Sequence, residues 1–154
     1  MQRVYKFTKQ DIQKIQDFIN TIDKSIKVKK GRCFECDIEQ NQIFVGNKKY
    51  DKDTEMFMTW LCKQKEYTPI NYIMISILHE LGHIKTYEPR KEQERSILYG
   101  IYDFLGHLGI MTTEQQNNRY FNIPDERDAT MWGLEYYVNH KSQCDKLVKD
   151  LCIM

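Results

Sequence analysis

Five consecutive residues, His79-Glu80-Leu81-Gly82-His83, carry the densest chemistry in this 154-residue sequence. On a helix of 3.6 residues per turn, histidines four apart leave the same face and can grip one ion. Neutral imidazole suits zinc, and a catalytic zinc takes three protein ligands plus water. Glu80 follows the first histidine and lies beside such an ion rather than on it. That placement suits a base for zinc-bound water, whose pKa falls from 15.7 toward about 7. The same carboxyl can later protonate a leaving amine. The preceding run, Ile73-Met74-Ile75-Ser76-Ile77-Leu78, is almost wholly apolar, which predicts a buried helix rather than a solvated one. Gly82 inside it costs about 1 kcal/mol relative to alanine. Close approach of another helix under the metal is a reason for it.

Two histidines leave a third ligand to be found. The extended pattern H-E-x-x-H-x-x-G-x-x-H is excluded, because Thr86 and Pro89 stand where Gly and His are needed. His107 lies in the apolar stretch Gln93–Ile110 and reads as a core or boundary residue. His140 ends the helical stretch Asp125–Asn139 and reads as a cap. Carboxylates serve better. Asp125-Glu126-Arg127-Asp128-Ala129-Thr130-Met131-Trp132-Gly133 opens a helix with Glu126 and Thr130 one turn apart and small Ala129 and Gly133 on an adjoining stripe. Asp125 and Asp128 also suit a helix start for capping and dipole reasons alone. The residues alone leave Asp125, Glu126 and Asp128 open as carboxylates that could supply the third ligand.

With these two segments the chain resembles the gluzincin metallopeptidases, most nearly the small intracellular ImmA/IrrE-like ones. Their second motif runs Glu-x-Glu-Ala-Asn/Asp-x-aromatic-small, against Glu126-x-Asp128-Ala129-Thr130-x-Trp132-Gly133 here. The resemblance implies zinc held by His79, His83 and Glu126, with Glu80 catalytic and Thr130 supporting a ligand from behind. It departs from the family pattern at Thr130, in place of Asn/Asp, and at Asp128, in place of Glu. It spans roughly Asn71 to His140, together with the helix-then-sheet order before it. It also implies an extended peptide bound along an edge strand, for which Gln42–Val45 is the candidate, since an unpaired edge offers main-chain donors and acceptors. An oxyanion needs a further donor. Tyr120, Tyr136 and Tyr137 lie on or near the Glu126 helix, although packing alone also explains such rings.

The elements that must position these residues follow from periodicity. Thr8 to Asp23 predicts a helix capped by Thr8, with Ile12, Ile15, Phe18, Ile19 and Ile22 at helical spacing. Ile26–Lys29, Cys33–Ile38 and Gln42–Val45 alternate as strands and predict a small three-stranded antiparallel sheet. Thr54–Lys65 and Asn71 to about Glu88 predict helices, the second stopped by Pro89. Gln93–Ile110 predicts a helix with Ile97, Leu98, Ile101, Phe104, Leu105 and Leu108 on one face. Pro124 opens a last one to about Leu151, with a break near His140. The expected class is α+β, a single zincin-like (gluzincin) domain over residues 1–154, with an N-terminal helix, the sheet, an active-site helix and C-terminal helices.

Composition narrows the partners. Lys+Arg is 23 and Asp+Glu is 22, a net charge of +1 that gives no electrostatic reason for nucleic acid or an anionic membrane. Lys24, Lys27, Lys29, Lys30 and Arg32 read as a solvated strand face. The sequence has no apolar run of the roughly 20 residues a bilayer span needs, and its first residues lack signal-peptide features, so the expected compartment is the cytoplasm. Five cysteines, with a lone C-x-x-C at Cys33 and Cys36, suggest reduced thiols. The expected function is a zinc metallopeptidase acting on an intracellular protein or peptide, such as a regulatory protein. The alternatives are a catalytically inactive zincin-fold protein-binding module with a structural zinc, and a metal-free structural domain.

Overall fold

The computed structural model describes residues 6–46, 56, 59–63, 65, 70–109 and 112–151. Within these, the side chains at 92–94, 96, 102–104, 106, 107 and 113 lie outside the description. The architecture is α+β, mostly helical, with one small three-stranded mixed sheet.

Helix α1, Lys9–Ile22, starts as the sequence predicts. The Thr8 hydroxyl accepts from the Asp11 amide at 3.1 Å and the Asp11 carboxylate accepts from the Thr8 amide at 2.9 Å. Its buried stripe includes Ile15, Phe18 and Ile19. Gln16 ties this helix to the sheet, accepting from Val28 N at 2.7 Å and donating to Ile26 O at 2.9 Å.

The strands are β1 Lys27–Lys30, β2 Glu35–Asp37 and β3 Gln42–Val45, in spatial order β1-β3-β2. This corrects the antiparallel expectation in one pairing. β2 and β3 are antiparallel, joined by a turn in which Asn41 takes φ 55°, whereas β1 pairs parallel to β3 with Lys27 opposite Gln42. The β2 strand is the return leg of that parallel connection. A second correction follows. β3 is the central strand, with Ile43 and Val45 fully buried, so it offers no free edge.

Helix α2, Tyr72–Lys85, holds the His79–His83 motif. The Asn71 side chain caps it, accepting from Ile73 N at 3.0 Å and Met74 N at 3.3 Å. Ile73, Met74, Ile75, Ile77, Leu78 and Leu81 are all buried, as an apolar run on every side requires. The helix ends at Thr86, whose amide bonds Gly82 O at 2.8 Å, about a turn sooner than expected. Pro89 is not its stop but the first residue of α3, Pro89–His107.

Helix α4, Thr113–Phe121, was not anticipated, although Thr112 and Gln115 form a full capping box. Helices α5, Pro124–Asn139, and α6, Lys141–Asp150, meet at the expected break at His140. Of the expected helix Thr54–Lys65, residues 59–63 are helical; Phe57 lies outside the described residues.

The core lies between α2, the sheet, α1 and the last two helices. It joins Phe18, Ile19, Val28, Ile43 and Leu81 to Leu134, Tyr137, Cys144 and Leu147. The most extensive contact between elements is that of α2 with α5. No helix among the described residues is long and apolar enough to cross a membrane.

Candidate metal centre

Close contact between α2 and α5 is a matter of small residues. A Cβ at Gly82 would lie 2.3 Å from Ala129 O, and one at Gly133 would lie 3.2 Å from backbone and side-chain atoms of Leu78. Another helix does approach at Gly82, and it is the helix that carries Glu126. Backbone-to-backbone packing brings the first turns of α5 over the His79–His83 face.

Three ligand atoms converge there. His79 Nε2 and His83 Nε2 stand 3.0 Å apart, and Glu126 Oε2 lies 3.1 Å from the first and 3.4 Å from the second. Glu126 is only 2% exposed and His83 7%. A buried carboxylate among two imidazoles is a set of donors that can hold a metal ion, and among the described residues the group has these three members. Burial alone raises the Glu126 carboxyl, but hydrogen bonds and charge from His79 and His83 outweigh it and hold it well below the usual range. Burial lowers His79, but its bond to Glu126 and the charges of Glu80 and Glu126 leave it raised.

Thr130 takes the supporting place. Its Oγ1 is 3.0 Å from His79 Nδ1, and the residue is 1% exposed. With the proton on Nδ1, the ring donates to Thr130 and turns its Nε2 lone pair inward. A hydroxyl one turn after Glu126 reaches the ring where the resemblance expects Asn or Asp.

Glu80 is half-buried on the adjoining face of α2. Burial raises its carboxyl, and the neighbouring imidazoles oppose that. Burial and the Glu80 charge push the Cys36 thiol of β2 up to about 12. Such a thiol stays protonated rather than acting as a nucleophile. Cys33 is exposed and Cys36 half-buried; Cys33, Cys36, Cys62 and Cys144 are free thiols, and Cys152 lies outside the described residues.

The reserve carboxylates face elsewhere. Asp128 Oδ2 pairs with Lys91 Nζ at 2.7 Å and its Oδ1 with Arg127 Nε at 3.1 Å. Asp125 Oδ2 pairs with Arg95 Nε at 3.3 Å. Of the three tyrosines, Tyr120 reaches the site, its hydroxyl donating to Glu126 Oε2. Tyr136 stacks between Trp132 and His140, and the Tyr137 hydroxyl donates to Asp145 Oδ1 at 2.7 Å. His140 has Nδ1 3.0 Å from Tyr136 O, at the end of α5. The His107 side chain lies outside the described residues.

Two residues at the site went unread in the sequence. Tyr99 donates to Glu126 Oε1 at 2.8 Å, and Arg95 Nη2 lies 3.2 Å from the same oxygen. Both are on α3. The available signal was the spacing of Lys91, Arg95 and Tyr99, four apart on one stripe.

No protein-family model, curated protein or solved structure matches the chain.

Proposed function

We propose that the chain is a zinc-dependent hydrolase of the gluzincin type, with a zincin-like fold, similar to the small ImmA/IrrE-like metallopeptidases. Its substrate on this reading is a peptide bond in a cytoplasmic protein or peptide. The observation that carries the reading is the convergence of His79 Nε2, His83 Nε2 and Glu126 Oε2, with Glu80 beside them on the same buried helix. Tetrahedral zinc ligands at ~2.0–2.1 Å stand about 3.3 Å from one another. The three separations here, 3.0, 3.1 and 3.4 Å, fit that edge length. A structural zinc in a binding module needs a fourth protein ligand, and among the described residues the cluster has three.

Zinc held there supplies a Lewis acid for a carbonyl and lowers the pKa of coordinated water. Glu80 accepts the proton of the attacking water on its carboxylate and passes it to the leaving nitrogen. Of the expected tyrosines, Tyr120 is the one at the cluster, and its hydroxyl must turn from Glu126 Oε2 to donate where negative charge builds. With β3 central, β2 is the strand that packs on α2 and keeps an outer edge unpaired among the described residues, so an extended peptide would lie along it.

Two measurements test this. Protein prepared without a histidine tag is expected to carry about one zinc per chain by elemental analysis. Glu80→Gln is expected to keep that zinc and lose cleavage of a fluorogenic peptide library. Cleavage by Glu80→Gln at the parent's rate removes Glu80 from the mechanism.

A further inference from the structure

Glu126 has two oxygens, and they are treated differently. Oε2 faces His79 and His83 and also accepts from the Tyr120 hydroxyl. Oε1 points the other way, to the Tyr99 hydroxyl at 2.8 Å and Arg95 Nη2 at 3.2 Å. The same guanidinium reaches Asp125 Oδ2 through Nε at 3.3 Å and lies over the Tyr99 ring, 5.3 Å from its centroid. The fork thus bridges two consecutive carboxylates of α5 while resting on the ring that donates to one of them. Lys91, one turn earlier on α3, binds Asp128.

The way α3 sits reinforces this. Its residues Lys91, Arg95 and Tyr99 form the stripe that meets the first turns of α5. Ile97, Ile101 and Leu108 are exposed, Ile97 by 66%. Leu98 and Leu105 are half-buried, and the Phe104 side chain lies outside the description. The expected apolar face of this helix is therefore largely turned away from the protein, while polar ties cluster at the carboxylate. An arginine whose main use was solvation would leave its fork in water.

We propose that Arg95 and Tyr99 are positioning residues that clamp Glu126 Oε1, so that Glu126 binds metal through Oε2 alone. This rests on the metal-centre reading above. Its consequence is coordination number. A carboxylate held by one oxygen leaves a position open for water or substrate, whereas a free carboxylate can close both oxygens on the ion. Partners of this kind are worth roughly 10–100-fold in metal affinity.

The test uses Co2+ as a spectroscopic probe and Zn2+ for affinity, on the whole chain, with Tyr99→Phe, Arg95→Met and Arg95→Lys. Tyr99→Phe removes only a hydroxyl, so it decides the question even if Arg95→Met does not fold. The parent is expected to show the intense visible absorption of four-coordinate Co2+. Tyr99→Phe is expected to bind Zn2+ roughly 10-fold more weakly and to show dimmer, five-coordinate-like Co2+ bands. Arg95→Met should do the same, with Arg95→Lys recovering only part, since an ammonium lacks the fork. A folded Tyr99→Phe with parental Zn2+ affinity and Co2+ spectrum overturns the clamp and leaves the metal reading standing. A parent that binds neither ion overturns both.

Discussion

Asp128 lies two residues beyond Glu126, and the half-turn between them sends it to Lys91 instead of the histidines. Burial works against its charge, but Lys91 and Arg127 hold its carboxyl below the usual range. A group lowered in this way contributes stability above its unfolded pKa, near 3.8, and loses it as pH falls through the lower folded value. Asp128→Asn is therefore expected to cost below about 1 kcal/mol at pH 7, as for a partly exposed ion pair. At pH 2 the difference should shrink toward zero. Urea titration at the two pH values measures this. The same variant should keep its metal, whereas Glu126→Gln should lose it. Metal loss in Asp128→Asn would return that residue to the ligand set. Residue types and spacing suggested His79, His83 and Glu80, because a helix fixes which of its own residues share a face, whereas Glu126 was suggested by the resemblance of its segment to a second motif. Arg95 and Tyr99 were not readable in that way. Their partner lies 27 or more positions along the chain, and no local period shows what lies across a fold.

Among the elements, the crossing of α2 and α5 decides whether His79, His83 and Glu126 meet. Glycine at 82 gives up about 1 kcal/mol of helix propensity. Alanine there would nonetheless be the worse residue, because its Cβ would sit against the backbone of Ala129, which cannot rotate aside. We expect Gly82→Ala to lower stability by about 1–3 kcal/mol and to weaken zinc binding by drawing Glu126 away. Denaturant unfolding and metal titration read the two effects separately. A more stable Gly82→Ala would show that the helices have slack. The sheet was the element least legible in advance. Alternation identified the strands but not their neighbours, and Gln42–Val45 was expected at an edge of an antiparallel sheet. The unbroken Ile43-Phe44-Val45 was the clue that β3 is central, since a strand buried on both faces loses its alternation. For α4, the cap residues Thr112 and Gln115 were present, but without an apolar stripe to follow them.

Across the whole molecule, mostly helical α+β organisation was readable from the change of period along the chain. The mixed sheet and the outward apolar side of α3 were not, because they depend on which faces the other elements leave free. One property of the assembled protein comes from the direct contact at Gly82 and Gly133. At Gly82 the backbones of α2 and α5 meet with no side chain of that residue to compress or swell, so the cradle formed by His79, His83 and Glu126 has little mechanical compliance. Its opening is set by two backbones, and an ion must match that bore rather than reshape it. Calcium, which takes six to eight oxygen ligands at ~2.3–2.6 Å, would have to wedge the helices apart. Zinc and cobalt would not. Millimolar Ca2+ is therefore expected to leave bound Co2+ and its spectrum untouched, and displacement of Co2+ by Ca2+ would mean that the frame yields.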